Sequence, residues 1–242
     1  MTTIAKFTIT LILSLLLVSC NFDANWNTGT KGNGEVTSVE RPSTQIFNKI
    51  EASRGLDVYI TQNDVASIRV EADQNLQDLI TTTIENGVLI ITTKENIGSA
   101  TSKKVFVNVK ELEEISASSG SYIYGNNTIT SKSLKLNSAS GADIELELDV
   151  THLSCYASSG SDLKVSGKAN EFIAKAASGS DIIAGDLLSN TCNASASSGA
   201  DVTVNTIKKL TVTANSGGDI TYHGNPELLE KNGVTSGTVR RE

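Results

Sequence analysis

The stretch Ser140-Gly141-Ala142-Asp143-Ile144 decides the fold, because it returns down the second half of the chain. It recurs as Ser159-Gly160-Ser161-Asp162-Leu163, Ser178-Gly179-Ser180-Asp181-Ile182, Ser198-Gly199-Ala200-Asp201-Val202 and Ser216-Gly217-Gly218-Asp219-Ile220. Weaker copies stand at Ser119-Gly120-Ser121-Tyr122-Ile123 and Ser236-Gly237-Thr238-Val239. The glycines at 120, 141, 160, 179, 199, 217 and 237 are separated by 21, 19, 19, 20, 18 and 20 residues. A period near twenty means one structural unit stacked on copies of itself.

Counting back from each glycine, the seventh position holds Leu134, Leu153, Phe172, Cys192 and Leu210. The fifth holds Ile115, Leu136, Cys155, Ala174, Ala194 and Val212, and the third Ala117, Ser138, Ala157, Ala176, Ala196 and Ala214. Apolar residues at every second position mark a strand with one buried face. After the glycine the aliphatics resume three and five places on, with Glu145, Lys164 and Thr203 between them on the solvent side. Each unit is therefore two strands around a Ser-Gly-x-Asp corner. This predicts an all-β parallel β-helix, a solenoid of about 20-residue coils. With rungs about 4.8 Å apart, seven would make a rod of roughly 34 Å. Glycine at Gly141, Gly160, Gly179, Gly199 and Gly217 permits a sharp left-handed turn. The aspartates Asp143, Asp162, Asp181, Asp201 and Asp219 can bond nearby amides as in an Asx turn.

Composition agrees: aromatics are 5% and prolines only two, as a turn-rich β chain requires. Residues 45–110 are less regular, with strands expected at 46–52, 56–61, 67–71, 88–93 and 104–110. Asn86-Gly87 is a hairpin signal. Arg54-Gly55-Leu56-Asp57-Val58 is a degenerate corner, so this region is expected to extend the same solenoid, giving one domain over 45–240, or else to form a small cap.

Residues 1–19 read as a leader: Lys6 supplies the positive start, and 7–18 is an apolar run too short to span a bilayer. It ends at Leu17-Val18-Ser19-Cys20, which resembles the bacterial lipobox. Acylation of Cys20 would anchor the protein to a membrane, each buried CH₂ contributing about 0.8 kcal/mol. Residues 20–44 would follow as the lipidated cysteine and a flexible tether rich in Asn, Gly, Thr and Ser. Asn21, rather than an aspartate, favours the outer membrane.

Cys155 and Cys192 fall in different inward columns two rungs apart, too far for a disulfide, and are expected as free core thiols. The net charge of −7 and the lack of a basic stripe argue against nucleic acid. His152 and His223 lie several rungs apart with no ligand cluster beside them, so no cofactor or metal is expected. The Asp ladder partly echoes the Gly-Gly-x-Gly-x-Asp repeats that hold calcium, but offers one Asp per coil. Tyr122, Tyr124, Tyr156 and Tyr222 could stack on sugars, yet form no obvious column.

The lipobox leader, the strand-rich segment from Phe47-Asn48-Lys49-Ile50, the Gly55-Leu56-Asp57-Val58 phrase, the Ser-Gly-Ser-Asp-Ile ladder and the closing Tyr222-His223-Gly224-Asn225-Pro226 together resemble the auto-transporter adhesin head domain, or GIN domain, family. Leu56-Asp57 departs from the Ile-Asn of the family's name. The resemblance implies a right-handed, single-stranded β-helix in an envelope protein of Bacteroidota-like bacteria. It implies an adhesin-like module binding a glycan or protein, rather than an enzyme. The alternatives are a β-helix carbohydrate-active enzyme, for which no cleft-forming insertion between coils is seen, and a purely structural envelope protein.

Overall fold

The computed structural model describes residues 29–42, 45–233 and 235–242; the leader and Cys20 lie outside them. The first strands are β1 (Thr30–Lys31), β2 (Val36–Arg41), β3 (Lys49–Ala52), β4 (Asp57–Gln62) and β5 (Ser67–Asp73). After a 3₁₀ turn at Gln74–Leu76 come β6 (Ile80–Glu85), β7 (Val88–Thr93), β8 (Ile97–Ser99) and β9 (Lys103–Val109). The regular coils begin with β10 (Glu114–Ser118) and β11 (Tyr122–Gly125). They continue through β12 (Ile129–Ala139), β13 (Asp143–Ser158), β14 (Asp162–Ala177), β15 (Asp181–Ser197) and β16 (Asp201–Asn215). They end with β17 (Asp219–His223), β18 (Leu228–Lys231) and β19 (Thr238–Arg241).

From β10 onward the chain is a parallel β-solenoid, and the inward columns stack in register. Leu136 pairs with Cys155, Cys155 with Ala174, Ala174 with Ala194 and Ala194 with Val212. All five are wholly buried. Ile144, Leu163, Ile182, Val202 and Ile220 form the matching column beyond the corner. Cys155 and Cys192 are buried free thiols in neighbouring columns, and burial pushes the Cys155 thiol far up and Cys192 to about 12. These are inert fillers.

The corner has a geometry that the glycine alone does not explain. Ser140, Ser159, Ser178 and Ser198 have φ of 57°, 58°, 60° and 56°, and the glycines that follow have φ of 68°, 66°, 65° and 70°. Two consecutive left-handed residues turn the chain sharply, and the serine costs about 1–2 kcal/mol for adopting that region. The compensation is a ladder: the Gly120, Gly141, Gly160 and Gly179 N–H groups donate to the carbonyls of Ser140, Ser159, Ser178 and Ser198 at 3.1–3.2 Å. The residue after the glycine then points inward and must be small, as Ala142, Ser161, Ser180 and Ala200 are, each with no exposed surface. The Ser161 hydroxyl donates to the Ser138 carbonyl at 2.8 Å and accepts from the Ser158 amide at 3.1 Å.

The N-terminal part departs from a simple continuation of the coils. β3 lies between β7 and β10, and β4 between β9 and β11, all parallel. The rung made by β7 and β9, later in sequence, therefore stacks outside the rung made by β3 and β4. Beyond it the pairing turns antiparallel: β6 folds back on β7 through Asn86-Gly87, and β5 lies between β9 and β2. These strands form a lid over a solenoid end that would otherwise expose its core and edges.

The segment expected as a tether, 20–44, contains part of the sheet. β2 pairs with β5 along its whole length, from Val36 opposite Asp73 to Arg41 opposite Ile68. Arg41 donates from Nη2 to the Gln77 carbonyl at 2.7 Å, and Gln77 Nε2 donates to the Thr37 carbonyl at 3.0 Å. Ahead of β2, the buried Asp73 carboxylate accepts N–H bonds from Gly34 (2.9 Å), Thr101 (3.0 Å) and Ser102 (2.9 Å). The Ser102 amide above all holds its pKa below the usual carboxylate range, despite burial. The domain thus begins by residue 29 and not at 45. β2 escaped recognition because an edge strand with one open side carries mostly polar residues.

Two stability measurements follow from these columns. Ala176→Leu would overpack the interior beside a corner, where Ala157, Ala176 and Ala196 stack, and should destabilise the domain by about 1–3 kcal/mol in chemical denaturation. Gly179→Ala places its Cβ in open space and should cost only the backbone penalty of about 1–2 kcal/mol. Gly167→Ala, at φ of 100° with its Cβ 2.1 Å from the Leu148 carbonyl oxygen, should cost clearly more. Equal losses for the two glycines would contradict the close packing of β13 on β14.

Candidate functional site

The five ladder aspartates stack in one outward row, Asp143 on Asp162, then Asp181, Asp201 and Asp219. They do not close local Asx turns. Three carboxylates instead face an amide of the next rung: Asp219 accepts from Thr238 N–H at 3.1 Å, and the Asp162 and Asp201 amides act on Asp143 and Asp181. Partial burial, then the charge of Asp162, pushes the Asp143 and Asp181 carboxyls up, and Asp201 adds to the effect on Asp181. Among the described residues no three His, Cys, Asp or Glu side chains converge as a metal site.

A second outward row on the same face is aromatic. Phe106, Tyr59 and Tyr124 are adjacent on β9, β4 and β11. Tyr59 stacks on Phe106 with centroids 5.2 Å apart and meets Tyr124 edge-on at 6.1 Å. Tyr122 lies beside Tyr124 at 6.4 Å and bonds Glu145 Oε2 at 3.2 Å. Burial and that carboxylate push its phenol up to about 12. Arg69 covers the other face of Phe106 at 4.0 Å. Tyr122 and Tyr124 therefore do join an aromatic cluster, but with partners that the repeat could not reveal. Phe106 is held between Tyr59 and Arg69, so this end of the row is a structural ladder, while Tyr124 at its other end is 37% exposed. Tyr156 stands apart between Lys135 and Lys175, each 5.9 Å from its ring, and Tyr222 packs against the core.

The concave feature lies on another face, along the columns six and eight residues before each corner glycine. Column six runs Lys49, Glu114, Lys135, Ser154, Ile173, Asn193, Thr211 and Glu230. Column eight runs Ser133, His152, Glu171, Thr191 and Lys209. Two open hollows of about 720 Å³ and 290 Å³ share His152 and together make a groove along the rod. Two ion pairs and one histidine–carboxylate hydrogen bond cross its rungs. Lys135 Nζ lies 2.9 Å from Glu114, His152 Nδ1 3.0 Å from Glu171, and Lys209 Nζ 3.0 Å from Glu230. These lysines hold Glu114 and Glu230 below the usual carboxylate range. His223 is elsewhere, over Gly185. The repeat carried the signal for this groove, since columns six and eight are its polar outward columns; what it did not show is that they are concave.

The unpaired Asp row gives a pH signature. A carboxyl raised in the folded state favours folding when protonated, and that contribution is lost as pH rises through its raised pKa. Asp181→Asn should therefore stabilise the protein at neutral pH by about 0.2–1 kcal/mol, solvent keeping the effect small. The gain should vanish as pH falls below the ordinary carboxylate range, as thermal melts from pH 7 to 3 would show.

Residues 46–226 match the family described as "Putative auto-transporter adhesin, head GIN domain". A crystal structure of a putative adhesin from Bacteroides fragilis superposes with a TM-score of 0.82 at 20% identity, over 88% of this chain and 100% of that one. One of a putative adhesin from Parabacteroides distasonis gives 0.71 at 23% identity, over 88% and 100%. One of a putative lipid binding protein from the same species gives 0.68 at 21% identity, over 88% and 99%. At such identities the likeness shows a shared fold. No curated protein matches the sequence. A family match across three-quarters of the chain, on the expected solenoid, places this protein in the GIN-domain family of putative auto-transporter adhesin heads.

Proposed function

We propose that this chain is a non-enzymatic envelope lipoprotein, anchored through Cys20 in the outer membrane, whose solenoid binds a glycan or protein partner in the manner of an adhesin. The observation that carries the reading is the open groove along columns six and eight. It crosses successive rungs without interruption, as a surface for an extended ligand must. Its chemistry favours binding over catalysis. A general acid needs a carboxyl held near neutral pH, whereas Glu114 is pulled down by Lys135 and Asn137. The carboxyls that are pushed up, Asp143 and Asp181, lie in the outward Asp row, away from the groove.

The anchor supports the same reading. Thr30, the first strand residue, stands ten positions after Cys20, a span of at most about 36 Å fully extended. Acylation of Cys20 would therefore attach the protein through its lidded N-terminal end, which leaves the sides of the rod free to meet a partner.

Replacing Cys20 by Ala should abolish incorporation of labelled fatty acid and move the protein from the membrane to the soluble fraction. Continued labelling would refute the anchor. The full-length chain, displayed on arrays of glycans and of envelope and matrix proteins, should retain at least one class specifically. Hydrolysis of a polysaccharide on the same panel, lost on changing a single carboxylate, would overturn the binding reading in favour of an enzyme.

A further inference from the structure

The geometry points to a neutral, extended polysaccharide as the occupant of the groove along columns six and eight. This rests on the binding reading above and adds to it the site and the chemistry of the ligand. The first argument is charge. In a chain of net charge −7, the groove lining carries four lysines (Lys49, Lys132, Lys135, Lys209) and four glutamates (Glu111, Glu113, Glu114, Glu171). Lys49 and Lys135 pair with Glu114, Lys209 pairs with Glu230 and Glu171 bonds His152, so the lining is balanced in charge as a whole. A polyanion or a polycation would have to break these pairs for no net gain. A neutral polymer leaves them intact.

The second argument is the supply of uncharged hydrogen-bonding groups. Ser133, Ser154, Thr191 and Asn193 line the groove, and among the described residues their side chains bond no other protein group. Hydroxyls and amides that both donate and accept match the hydroxyls of a sugar. Ile173, between Ser154 and Asn193 in column six, adds an apolar step suited to the C–H face of a pyranose ring. The third argument excludes a peptide strand. The backbone of the floor is spent in the parallel ladder between rungs, so an added strand would find no main-chain partners on this face. The fourth is length: from Lys49 to Thr211 column six crosses seven strands, about 29 Å at 4.8 Å per step, enough for several sugar units. The aromatic row on the other face is a weaker candidate, because Phe106 and Tyr59 cover each other and Arg69 covers Phe106, which leaves Tyr124 as its exposed ring.

Affinity electrophoresis of the full-length chain through gels holding dextran, galactomannan, xylan or soluble starch, and through matching gels of polygalacturonate, hyaluronate or heparin, tests this. The expected result is retardation by at least one neutral polymer, equal at low and high salt. Ser154→Trp and Thr191→Trp, which fill the groove from half-buried outward strand positions, should each weaken that retardation by about tenfold, roughly 1.4 kcal/mol. Ile183→Trp on the face bearing the Asp row should leave it unchanged, and all three variants should melt like the parent. Salt-sensitive retardation by the acidic polymers alone would overturn the neutral ligand. Neutral-polymer binding that survives both groove variants, or that Ile183→Trp abolishes, would overturn the site. Binding to array proteins with no retardation by any glycan would overturn this inference and leave the binding reading standing. Binding to nothing in either experiment would end both.

Discussion

The structure depends on a turn that every coil makes in the same way. At each corner from Ser119 to Ser216 a serine and a glycine adopt left-handed backbone angles in succession. The amide of the glycine then meets the serine carbonyl of the next rung. Without that bond each coil would leave a polar pair unsatisfied where the chain bends, repeated once per rung. With it, the parallel ladder runs around the corner, and the residue after the glycine is delivered into a space that admits Ala, Ser or Gly and little else. The narrow interior follows, since the alanine column three residues earlier packs beside the same turn.

In-register stacking governs the surface as strictly as the core. Residues in one column sit about 4.8 Å apart, so a column of like charges repels itself and a column of alternating charges binds itself. Two outward columns alternate over part of their length: Lys49, Glu114 and Lys135 on one face, Glu145 and Lys164 on another. The Asp column is the exception. It persists because Asp143, Asp181 and Asp219 each face an amide of the neighbouring rung and the row keeps contact with water, where two charges at that spacing repel by only about 0.9 kcal/mol. The same arithmetic makes the groove electrically quiet, and that quietness, more than any single residue, defines what can lie in it.

The N-terminal lid answers a different need. A stack of parallel rungs ends in an open edge with an aliphatic core behind it. Here β3 and β4 lie one rung inside the end, β7 and β9 return outside them, and the antiparallel strands β2, β5 and β6 close it. The Asp73 carboxylate gathers three amides from two segments, Gly34 on one and Thr101 and Ser102 on the other, and fastens this arrangement.

The sequence by itself determined the coil: its period, its inward columns at Leu136, Cys155 and Ala174, its corners and its small alanines. These were legible because each coil packs on the coil about nineteen residues away, and a contact repeated at constant separation leaves a period in the residues. Only the tertiary structure decided that β7 and β9 stack outside β3 and β4, that the polar β2 belongs to the sheet, and that Tyr59 and Phe106 meet Tyr124. It also decided that columns six and eight are concave. Those contacts join segments at unequal separations, often antiparallel, and each is made once. A contact made once is selected by complementary shape and charge in three dimensions, and leaves no recurrence along the chain from which it could be read.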